Sequence, residues 1–315
     1  MSSGPIHVLT LADGKYALPL AVAVRSLLEH HQTQRPLTIT VVDGGLSPED
    51  KARLGRSWNG ATSSPAHWRF VPPLYPENQH LPVWGRVPKL TYARLVLPDY
   101  FLAGESRAVL MDPDVLVLAG IDQLFDIGLH GVTAAACADP FIPTVSAVDG
   151  LATWKELGLA RNLPYFNAGI MLADLARWRS RRIAERAISY ISSNVDRLRQ
   201  YDQDALNAVL LNDWLPLDPR WHVHPRAANA LGAKPRPEPG IVHFSGRLKP
   251  WLYSSPHPAD RLFSAYLQRT EWRSTAPPVN FRALAYRLYD SPLRRLGHPL
   301  EVHAAAWLRR LQQKP

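Results

Sequence analysis

The sequence predicts an α/β domain over residues 1–275, with a mostly parallel central sheet and helices on its faces, followed by a helical segment over residues 276–315. Three observations indicate this fold class. Short apolar runs rich in β-branched residues alternate with segments of helical spacing, the order typical of a parallel sheet with crossover helices. Turn-forming residues directly follow several of the runs. Apolar residues make up 46% of the chain, which is enough for a sizeable core.

The first elements alternate between strand and helix. Short apolar runs predict strands at residues 6–11, 37–42 and 68–71. Apolar residues at helical spacing predict a helix over residues 16–30. A second helix is predicted to begin at Ser47, because serine caps a helix and Pro48, followed by two acids, suits its first turn.

The later elements continue the alternation. Further strands are predicted at residues 108–111, 132–138, 168–172 and 241–244. Helical spacing resumes at residues 89–97 and predicts helices at residues 183–199 and 203–211. The proline-rich stretches 72–88 and 219–240 are predicted to be loops, the second a lid or an acceptor wall.

Charge and targeting signals narrow the class of protein. The formal net charge is +9, concentrated in residues 177–186 and 282–314, which favours an anionic partner such as nucleic acid, acidic lipid or a phosphorylated ligand. The chain carries no recognised nucleic-acid-binding motif, so nucleic acid is not expected. It has no apolar run long enough to span a membrane and no signal peptide, which predicts a cytoplasmic protein. Cys137, the single cysteine, is predicted to be a buried core residue.

The most informative motif is Asp112-Pro113-Asp114, which follows the strand predicted at residues 108–111. Side chains at i and i+2 of an extended chain point to the same side, so both carboxylates should converge beyond the carboxyl end of the strand. Ligands bind there in open α/β sheets. Two hard oxygen ligands suit Mg²⁺ or Mn²⁺, which in turn bridge phosphates. A turn is the alternative explanation of this motif.

A second motif runs from His243 to Trp251 and contains Gly246 and Lys249. His243 ends an apolar strand and supplies an imidazole that suits a mixed oxygen and nitrogen Mn²⁺ site with the two aspartates. Gly246 allows a close backbone approach, and Lys249 can pair with a phosphate. A strand-end histidine without a ligand remains the alternative.

Polar side chains also border apolar runs at residues 165–170 and 201–204. Turn and cap chemistry explains them equally well at this stage, since Asp202 can cap the helix that follows it. Asp13, at the end of the first strand, is likewise either a turn residue or a contact to a nucleoside.

Taken in order, these motifs resemble glycosyltransferase family 8, the retaining enzymes with a Rossmann-like GT-A fold, and in particular its bacterial lipopolysaccharide galactosyl- and glucosyltransferases. The resemblance extends from about Ile6 to Trp251. It is carried by six segments: Leu11 to Tyr16, Leu90 to Leu95, Leu110 to Val117, Tyr165 to Gly169, Tyr201 to Asn207 and His243 to Trp251. The family usually has a second acid or an asparagine where this chain has Gly14 and Lys15.

The resemblance implies a role for each matching residue. Mn²⁺, or Mg²⁺, would be held by Asp112, Asp114 and His243. A UDP-hexose donor would be contacted by Asp13 and Tyr16 at the uracil, by Arg94, Gly246 and Lys249 at the diphosphate, and by Asp139, Asn167, Asp202 and Gln203 at the sugar. Gln203 and Asp202 would lie at the reacting face of the sugar, and Lys249 would neutralise the leaving group. The acceptor would be a glycan or a glycolipid.

Three alternatives compete with a metal-dependent hexosyltransferase. A phosphohydrolase would use Asp112 as nucleophile and Asp114 as acid, but its motif is expected near the N-terminus and leaves residues 243–251 unexplained. A basic, non-catalytic nucleic-acid-binding protein would bind in a salt-sensitive way. The third alternative keeps the fold and has lost activity, which the presence of both acids, His243 and Lys249 argues against.

The C-terminal segment mixes aromatic and aliphatic residues with arginine and lysine. Residues 304–311 form a short basic, amphipathic run that can lie on an anionic bilayer, which would make the protein peripheral on the inner face of the membrane. A helix that packs back on the domain explains the run equally well.

Overall fold

A computed structural model describes residues 4–75, 81–82, 89–225, 238–246, 249–252 and 257–275. Its main sheet contains seven strands, which are, in chain order, β1 Ile6–Ala12, β2 Leu37–Asp43, β3 Ala66–Val71, β4 Arg107–Met111, β6 Ala134–Ala138, β7 Phe166–Asp174 and β8 Trp214–Pro216. Their spatial order is β3-β2-β1-β4-β7-β6-β8. The strands run parallel except β7, which is antiparallel to both of its neighbours. The predicted α/β class with a mostly parallel sheet is confirmed.

A two-stranded ribbon lies beside the main sheet. It pairs β5 (Val115–Val117) with β9 (Ile241–His243) in antiparallel fashion, and Val115 lies opposite His243. The ribbon therefore brings Asp114, the residue after Pro113, close to His243, although the two are far apart in the chain.

The helices cover both faces of the sheet. They are α1 Ala17–Glu29, α2 Pro48–Trp58, α3 Ile121–Phe125, α4 Leu175–Ser180, α5 Ile183–Ser193, α6 Asp202–Leu210 and α7 Pro258–Leu267. Short 3-10 helices occur at Gly14–Tyr16, Lys89–Tyr100, Val195–Arg197 and Pro219–Trp221. The expected start of α2 is confirmed, because Ser47 accepts the Asp50 N–H in a reciprocal capping box.

Burial on both faces of the sheet explains the uninterrupted apolar runs. In β1, Ile6 and Val8 pack into the core under α1 and α2, while Leu9 and Leu11 pack into the core on the opposite face. Alternate side chains of a strand point to opposite faces, so a strand covered on both sides is apolar throughout. Cys137 is buried in this core as predicted, and burial raises the pKa of its thiol to about 12.

Two helical predictions need correction. The segment predicted as a helix over residues 89–97 is a 3-10 helix over Lys89–Tyr100, with Pro98 inside it and a kink at Val96. A proline removes a backbone donor and disrupts regular α-helical bonding, so the tighter form results. The helix predicted over residues 183–199 ends at Ser193, and a separate 3-10 turn follows it.

The strand predictions were right in position but not in extent. The strand predicted at residues 168–172 extends over Phe166–Asp174, and the one predicted at residues 132–138 begins at Ala134. Strands β5 and β8, each three residues long, were not predicted, because such short runs show no periodicity. The predicted loop at residues 219–240 contains the 3-10 turn Pro219–Trp221, and its residues 226–237 lie outside the described residues.

The side chain of Asn207 connects helix α6 to the start of β7 by hydrogen bonds. Asn207 accepts the N–H of Phe166 at 2.9 Å and donates to the Phe166 carbonyl oxygen at 2.9 Å. Its amide thus satisfies two buried backbone groups at the amino end of β7. Asn207 is itself buried. This contact orients the helix that carries Asp202 and Gln203.

We expect Asn207→Leu to destabilise the fold by about 2–4 kcal/mol, because it leaves the N–H and C=O of Phe166 buried without partners. Urea unfolding followed by circular dichroism measures the loss. Asn59→Ala, at an exposed position after α2, is the control and should change stability by less than about 0.5 kcal/mol. Equal midpoints for the two variants would contradict this account of Asn207.

The predicted C-terminal segment, residues 276–315, lies outside the described residues, as does the Arg247-Leu248 step before Lys249. Within the described ranges, no helix has both the length and the apolar character that a membrane crossing requires.

Candidate active site

A cleft of about 320 Å³ opens at the sheet edge where β4 and β6 end and β7 begins. Its lining is mostly polar and contains Thr91, Arg94, Asp112, Asp139, Phe141, Ile142, Asp149, Asn167, Ala168, Gly169, Gln200, Asp202, Gln203, His243, Ser245 and Gly246. This is the edge at which open α/β sheets bind ligands.

Three potential metal ligands meet at the floor of the cleft. Asp112, Asp114 and His243 each offer one ligand atom, and these atoms lie within 4.8 Å of one another. The His243 Nε2 atom is 3.1 Å from an oxygen of Asp114 and 3.6 Å from an oxygen of Asp112. The two carboxylates therefore face the same point, as their i and i+2 spacing predicted. We call these three residues the carboxylate–histidine cluster.

Lys249 lies directly behind Asp114. Its ammonium group donates one hydrogen bond to Asp114 and another to the Phe244 carbonyl oxygen, at 2.7 Å from the latter. Both side chains are buried. Burial alone would raise the pKa of Asp114, but the positive charge of Lys249 and the contact with His243 outweigh it and hold that pKa well below its usual value. Asp114 is therefore a carboxylate at neutral pH.

Because Gly169 has no side chain, there is room for the carboxylate–histidine cluster. A Cβ atom at this position would lie 2.4 Å from the Cε1 atom of His243 and 2.6 Å from an oxygen of Asp112. Neither distance is compatible with van der Waals contact. Any side chain here would displace two of the three potential ligands, so the glycine is a requirement of the site.

Arg94 joins two acids from different elements. Its guanidinium donates to Asp112 at 2.7 Å and to the Ala168 carbonyl oxygen at 3.0 Å. Its Nε atom lies 3.2 Å from Asp202, an ion pair without hydrogen-bond alignment. Burial raises the pKa of Asp202, an effect that the charge of Arg94 opposes in part. Asp202 is the first residue of α6 and Tyr201 occupies the N-cap position, so Asp202 is not the N-cap residue that the sequence suggested.

Asp139 organises the opposite wall of the cleft. One of its oxygens accepts hydrogen bonds from the Asn167 amide at 2.8 Å and from the Gln203 amide at 3.2 Å. Its other oxygen accepts the backbone N–H groups of Phe141 and Ile142. The side-chain amide oxygen of Gln203 in turn accepts the Ala168 N–H at 3.0 Å. These amides present fixed donors and acceptors to the cleft.

Asp13 and Tyr16 lie outside the lining of the cleft. Asp13 caps the 3-10 helix Gly14–Tyr16 by accepting the N–H groups of Lys15 and Tyr16, which is the predicted turn role. Burial, with the negative charges of Asp114, Asp112 and Asp13, raises the pKa of Tyr16 well above its usual value. The Tyr16 ring packs edge-on against Trp251, with 6.0 Å between ring centroids. The carboxylates of the cluster are thus close enough to Tyr16 to raise the pKa of its hydroxyl group.

A second imidazole stands behind the cluster. The Nε2 atom of His222 lies 2.8 Å from Nδ1 of His243, and both residues are buried. Burial, together with the adjacent His243 and His224, holds the pKa of His222 well below its usual value, so its ring is neutral.

The cleft gathers most of the residues singled out from the sequence. It is lined by Arg94, Asp112, Asp139, Asn167, Asp202, Gln203, His243 and Gly246, and Asp114 and Lys249 are buried against its floor. Sequence reasoning assigned no role to Gly169, although it lies in the motif at residues 165–170, and did not single out His222. The available signal for Gly169 was a glycine inside the strand predicted at residues 168–172, two positions after Asn167; His222 gave none.

Comparison with known proteins agrees with this geometry. The family profile of glycosyl transferase family 8 matches residues 7–255. General stress protein A of Bacillus subtilis is 31% identical over 289 residues, covering 87% of this chain and 97% of that protein. Lipopolysaccharide 1,2-glucosyltransferase of Escherichia coli is 26% identical over 203 residues, covering 62% of this chain but only 58% of that enzyme.

Solved structures share the fold. The galactosyltransferase LgtC, crystallised with donor and acceptor sugar analogs, superimposes with a TM-score of 0.70 at 24% identity, covering 86% of this chain and 100% of that one. At this identity the superposition establishes the GT-A fold alone. The match of the family profile to most of the chain shows that this protein belongs to glycosyltransferase family 8.

Proposed function

We propose that the protein transfers a hexose, galactose or glucose, from a UDP-sugar to a glycan or glycolipid acceptor, with retention of configuration and with Mn²⁺, or Mg²⁺, at the carboxylate–histidine cluster. The observation that carries the proposal is the convergence of Asp112, Asp114 and His243 on one point of the cleft floor. Relatives whose names describe a lipopolysaccharide glucosyltransferase and a galactosyltransferase support a hexose donor. Membership in a glycosyltransferase family favours this function over the phosphohydrolase alternative.

The cluster fits a divalent cation by its chemistry and by its space. Two carboxylates and one imidazole form a mixed oxygen and nitrogen set that suits Mn²⁺. The absence of a side chain at Gly169 keeps the ligand atoms together, since a Cβ there would touch His243 and Asp112. A cation held by Asp112, Asp114 and His243 supplies Lewis-acid stabilisation of the negative charge on a leaving diphosphate.

Lys249 contributes a second positive charge to the diphosphate side of the site. Its ammonium group has three N–H donors, of which Asp114 and the Phe244 carbonyl oxygen use two. No hydrogen bond from the third to a described residue is seen, so it can serve a phosphate oxygen. A preorganised charge of this kind stabilises a leaving group most when it is shielded from water, and Lys249 is buried.

The sugar side is a polar wall made by Asp139, Asn167 and Gln203, which supports recognition of hydroxyl groups. The Gln203 amide is a poor nucleophile, and the charge of Asp202 is paired with Arg94. We therefore favour attack by the acceptor from the same side that UDP leaves. The bond from the anomeric carbon to the phosphate oxygen breaks, the bond to the acceptor oxygen forms, and the leaving phosphate takes the acceptor proton. Trapping of a glycosyl adduct on Asp202 or Gln203 would contradict this route.

The acceptor side of the cleft has an aromatic rim. Phe141 is 57% exposed, and its ring packs edge-on against His224 with 4.6 Å between centroids. Asp149 lines the same region. An exposed aromatic face next to a carboxylate suits a sugar, which offers apolar C–H groups and hydroxyls.

Binding of residues 276–315 to an anionic membrane surface, and hence a location at the inner face of the membrane, stays a prediction.

The first test measures UDP release from a panel of UDP-sugars with and without Mn²⁺, in the presence and absence of acceptor glycans. We expect slow Mn²⁺-dependent release from UDP-galactose or UDP-glucose, and a loss of about 1,000-fold in Asp114→Asn, which removes a charged ligand. Asp126→Asn, which affects a surface ion pair with Arg35, is the matched control and should retain full activity. Absence of release together with no calorimetric binding of UDP and Mn²⁺ would contradict the proposal.

A further inference from the structure

From the contacts around His243 we infer that His222 is a positioning residue of the metal site: it fixes the ring orientation and the proton of His243, so that the Nε2 atom of His243 is presented as a ligand. The inference rests on the proposed function, because it assumes a cation at the carboxylate–histidine cluster. It assigns a role to a buried imidazole that does not line the cleft.

The ring of His243 is held at two of its atoms. Nε2 faces the cluster, 3.1 Å from Asp114, and Nδ1 lies 2.8 Å from the Nε2 atom of His222. A half-turn of the His243 ring would carry both nitrogens away from these partners. The contact with His222 therefore selects which nitrogen faces Asp112 and Asp114.

The same contact governs the proton of His243. A neutral imidazole has one N–H donor and one lone pair, so a metal-ligating Nε2 requires the proton on Nδ1. A metal-bound histidine normally donates that second N–H to a carboxylate, a carbonyl oxygen or water. Here the partner is the ring of His222, whose Nε2 atom lies 2.8 Å from Nδ1 of His243 and can accept that N–H. The His222 ring thus holds the metal-ligating residue His243 without adding negative charge beside Asp112 and Asp114.

Backbone hydrogen bonds and close packing hold the chain around His222 in place. Val223 donates its N–H to the Ile241 carbonyl oxygen at 2.9 Å, and His243 donates its N–H to the Val223 carbonyl oxygen at 3.0 Å. On the other side, Trp221 is buried and packs so closely on Gly240 that a Cβ at Gly240 would lie 2.8 Å from the indole. These contacts hold His222 beside β9, the strand that ends at His243.

The described residues offer no competing hydrogen bond to the other ring nitrogen of His222. Its Nδ1 atom is buried and has no hydrogen-bond partner among the described residues. Among the described residues, the hydrogen bond to His243 is the one that the ring of His222 makes, and it explains an imidazole at this position.

The test measures Mn²⁺ affinity directly, by the electron paramagnetic resonance signal of free Mn²⁺ in the presence of saturating UDP. His222→Leu keeps the buried volume and removes the acceptor, and we expect its dissociation constant for Mn²⁺ to rise about 10- to 100-fold. His222→Gln places an amide oxygen near the lost Nε2 atom and should stay within about threefold of the wild type. Spin-echo modulation from the ligating nitrogen of His243 should weaken in His222→Leu and be restored in His222→Gln.

His31→Leu is the matched control, since His31 is also buried but bonds to the Arg35 carbonyl oxygen far from the cluster. Unchanged Mn²⁺ affinity in His222→Leu, with a wild type that binds Mn²⁺, would overturn the inference and leave the proposed function intact. A wild type that does not bind Mn²⁺ would instead refute the proposed function. If His222→Leu fails to fold, His222→Asn, whose amide is too short to reach His243, takes its place with the same expected weakening.

Discussion

Gly169→Ala should abolish Mn²⁺-dependent turnover while the protein remains folded. The added methyl group would lie 2.4 Å from His243 and 2.6 Å from Asp112, so both ligands must shift. A displacement of about 1 Å at a reacting centre costs about 100-fold in rate, and two displaced ligands should cost at least that much. UDP release at increasing Mn²⁺ concentration measures the loss, with the dissociation constant of Mn²⁺ as a second readout.

A glycine in open surroundings provides the control for this substitution. Gly55 lies within α2, and nothing lies within 4 Å of a Cβ placed there. Gly55→Ala should leave turnover unchanged and stabilise the helix by about 0.5–1 kcal/mol. Wild-type Mn²⁺ affinity in Gly169→Ala would show that the cluster is not where the cation binds.

Lys249→Met should lower kcat by about 100- to 1,000-fold, because it removes a buried positive charge from the side of the site assigned to the leaving diphosphate. The same change leaves Asp114 buried without its ammonium partner. Loss of one member of a buried pair costs about 3–5 kcal/mol of folding stability. Steady-state UDP release and thermal unfolding of the metal-free protein measure the two effects separately.

Two further variants separate charge from packing at this position. Lys249→Arg keeps the charge, but we expect its planar guanidinium not to reproduce the two hydrogen bonds of the ammonium group with Asp114 and the Phe244 carbonyl oxygen, so kcat should recover little. Lys51→Met removes the partly exposed partner of Asp43 and should change stability by no more than about 1 kcal/mol. A kcat for Lys249→Met within about threefold of the wild type would contradict the assigned role.

The sequence was most informative where function depends on local geometry. Asp112 and Asp114 follow a buried strand at a spacing that puts both side chains on one side, and the structure agrees. His243 was recognisable because it ends an apolar run. Asp13 offered two interpretations, and the structure shows its turn role, since its oxygen caps the next 3-10 helix.

Features that depend on distant contacts were not predictable. Arg94 was expected to contact a donor, but nothing in its neighbourhood in sequence indicated that it would bind Asp112 and Asp202. The importance of Gly169 arises from the close approach of His243, which comes from another strand. Likewise, α5 ends at Ser193 without a proline or glycine, and the Asn194 side chain that follows donates to the Tyr190 carbonyl oxygen at 2.9 Å.

The pairing of β5 with β9 has a consequence for the order in which the protein folds. Asp114 and His243 are 129 residues apart in the chain. At a synthesis rate of about 5–20 residues per second, Asp114 waits roughly ten seconds for its partner to leave the ribosome. The four parallel strands β1 to β4 precede that moment and can pair among themselves, whereas the ribbon is a long-range contact that closes late. We therefore expect a nascent chain to pair these strands before the carboxylate–histidine cluster closes, so that truncated products carry Asp112 and Asp114 without His243 and Lys249.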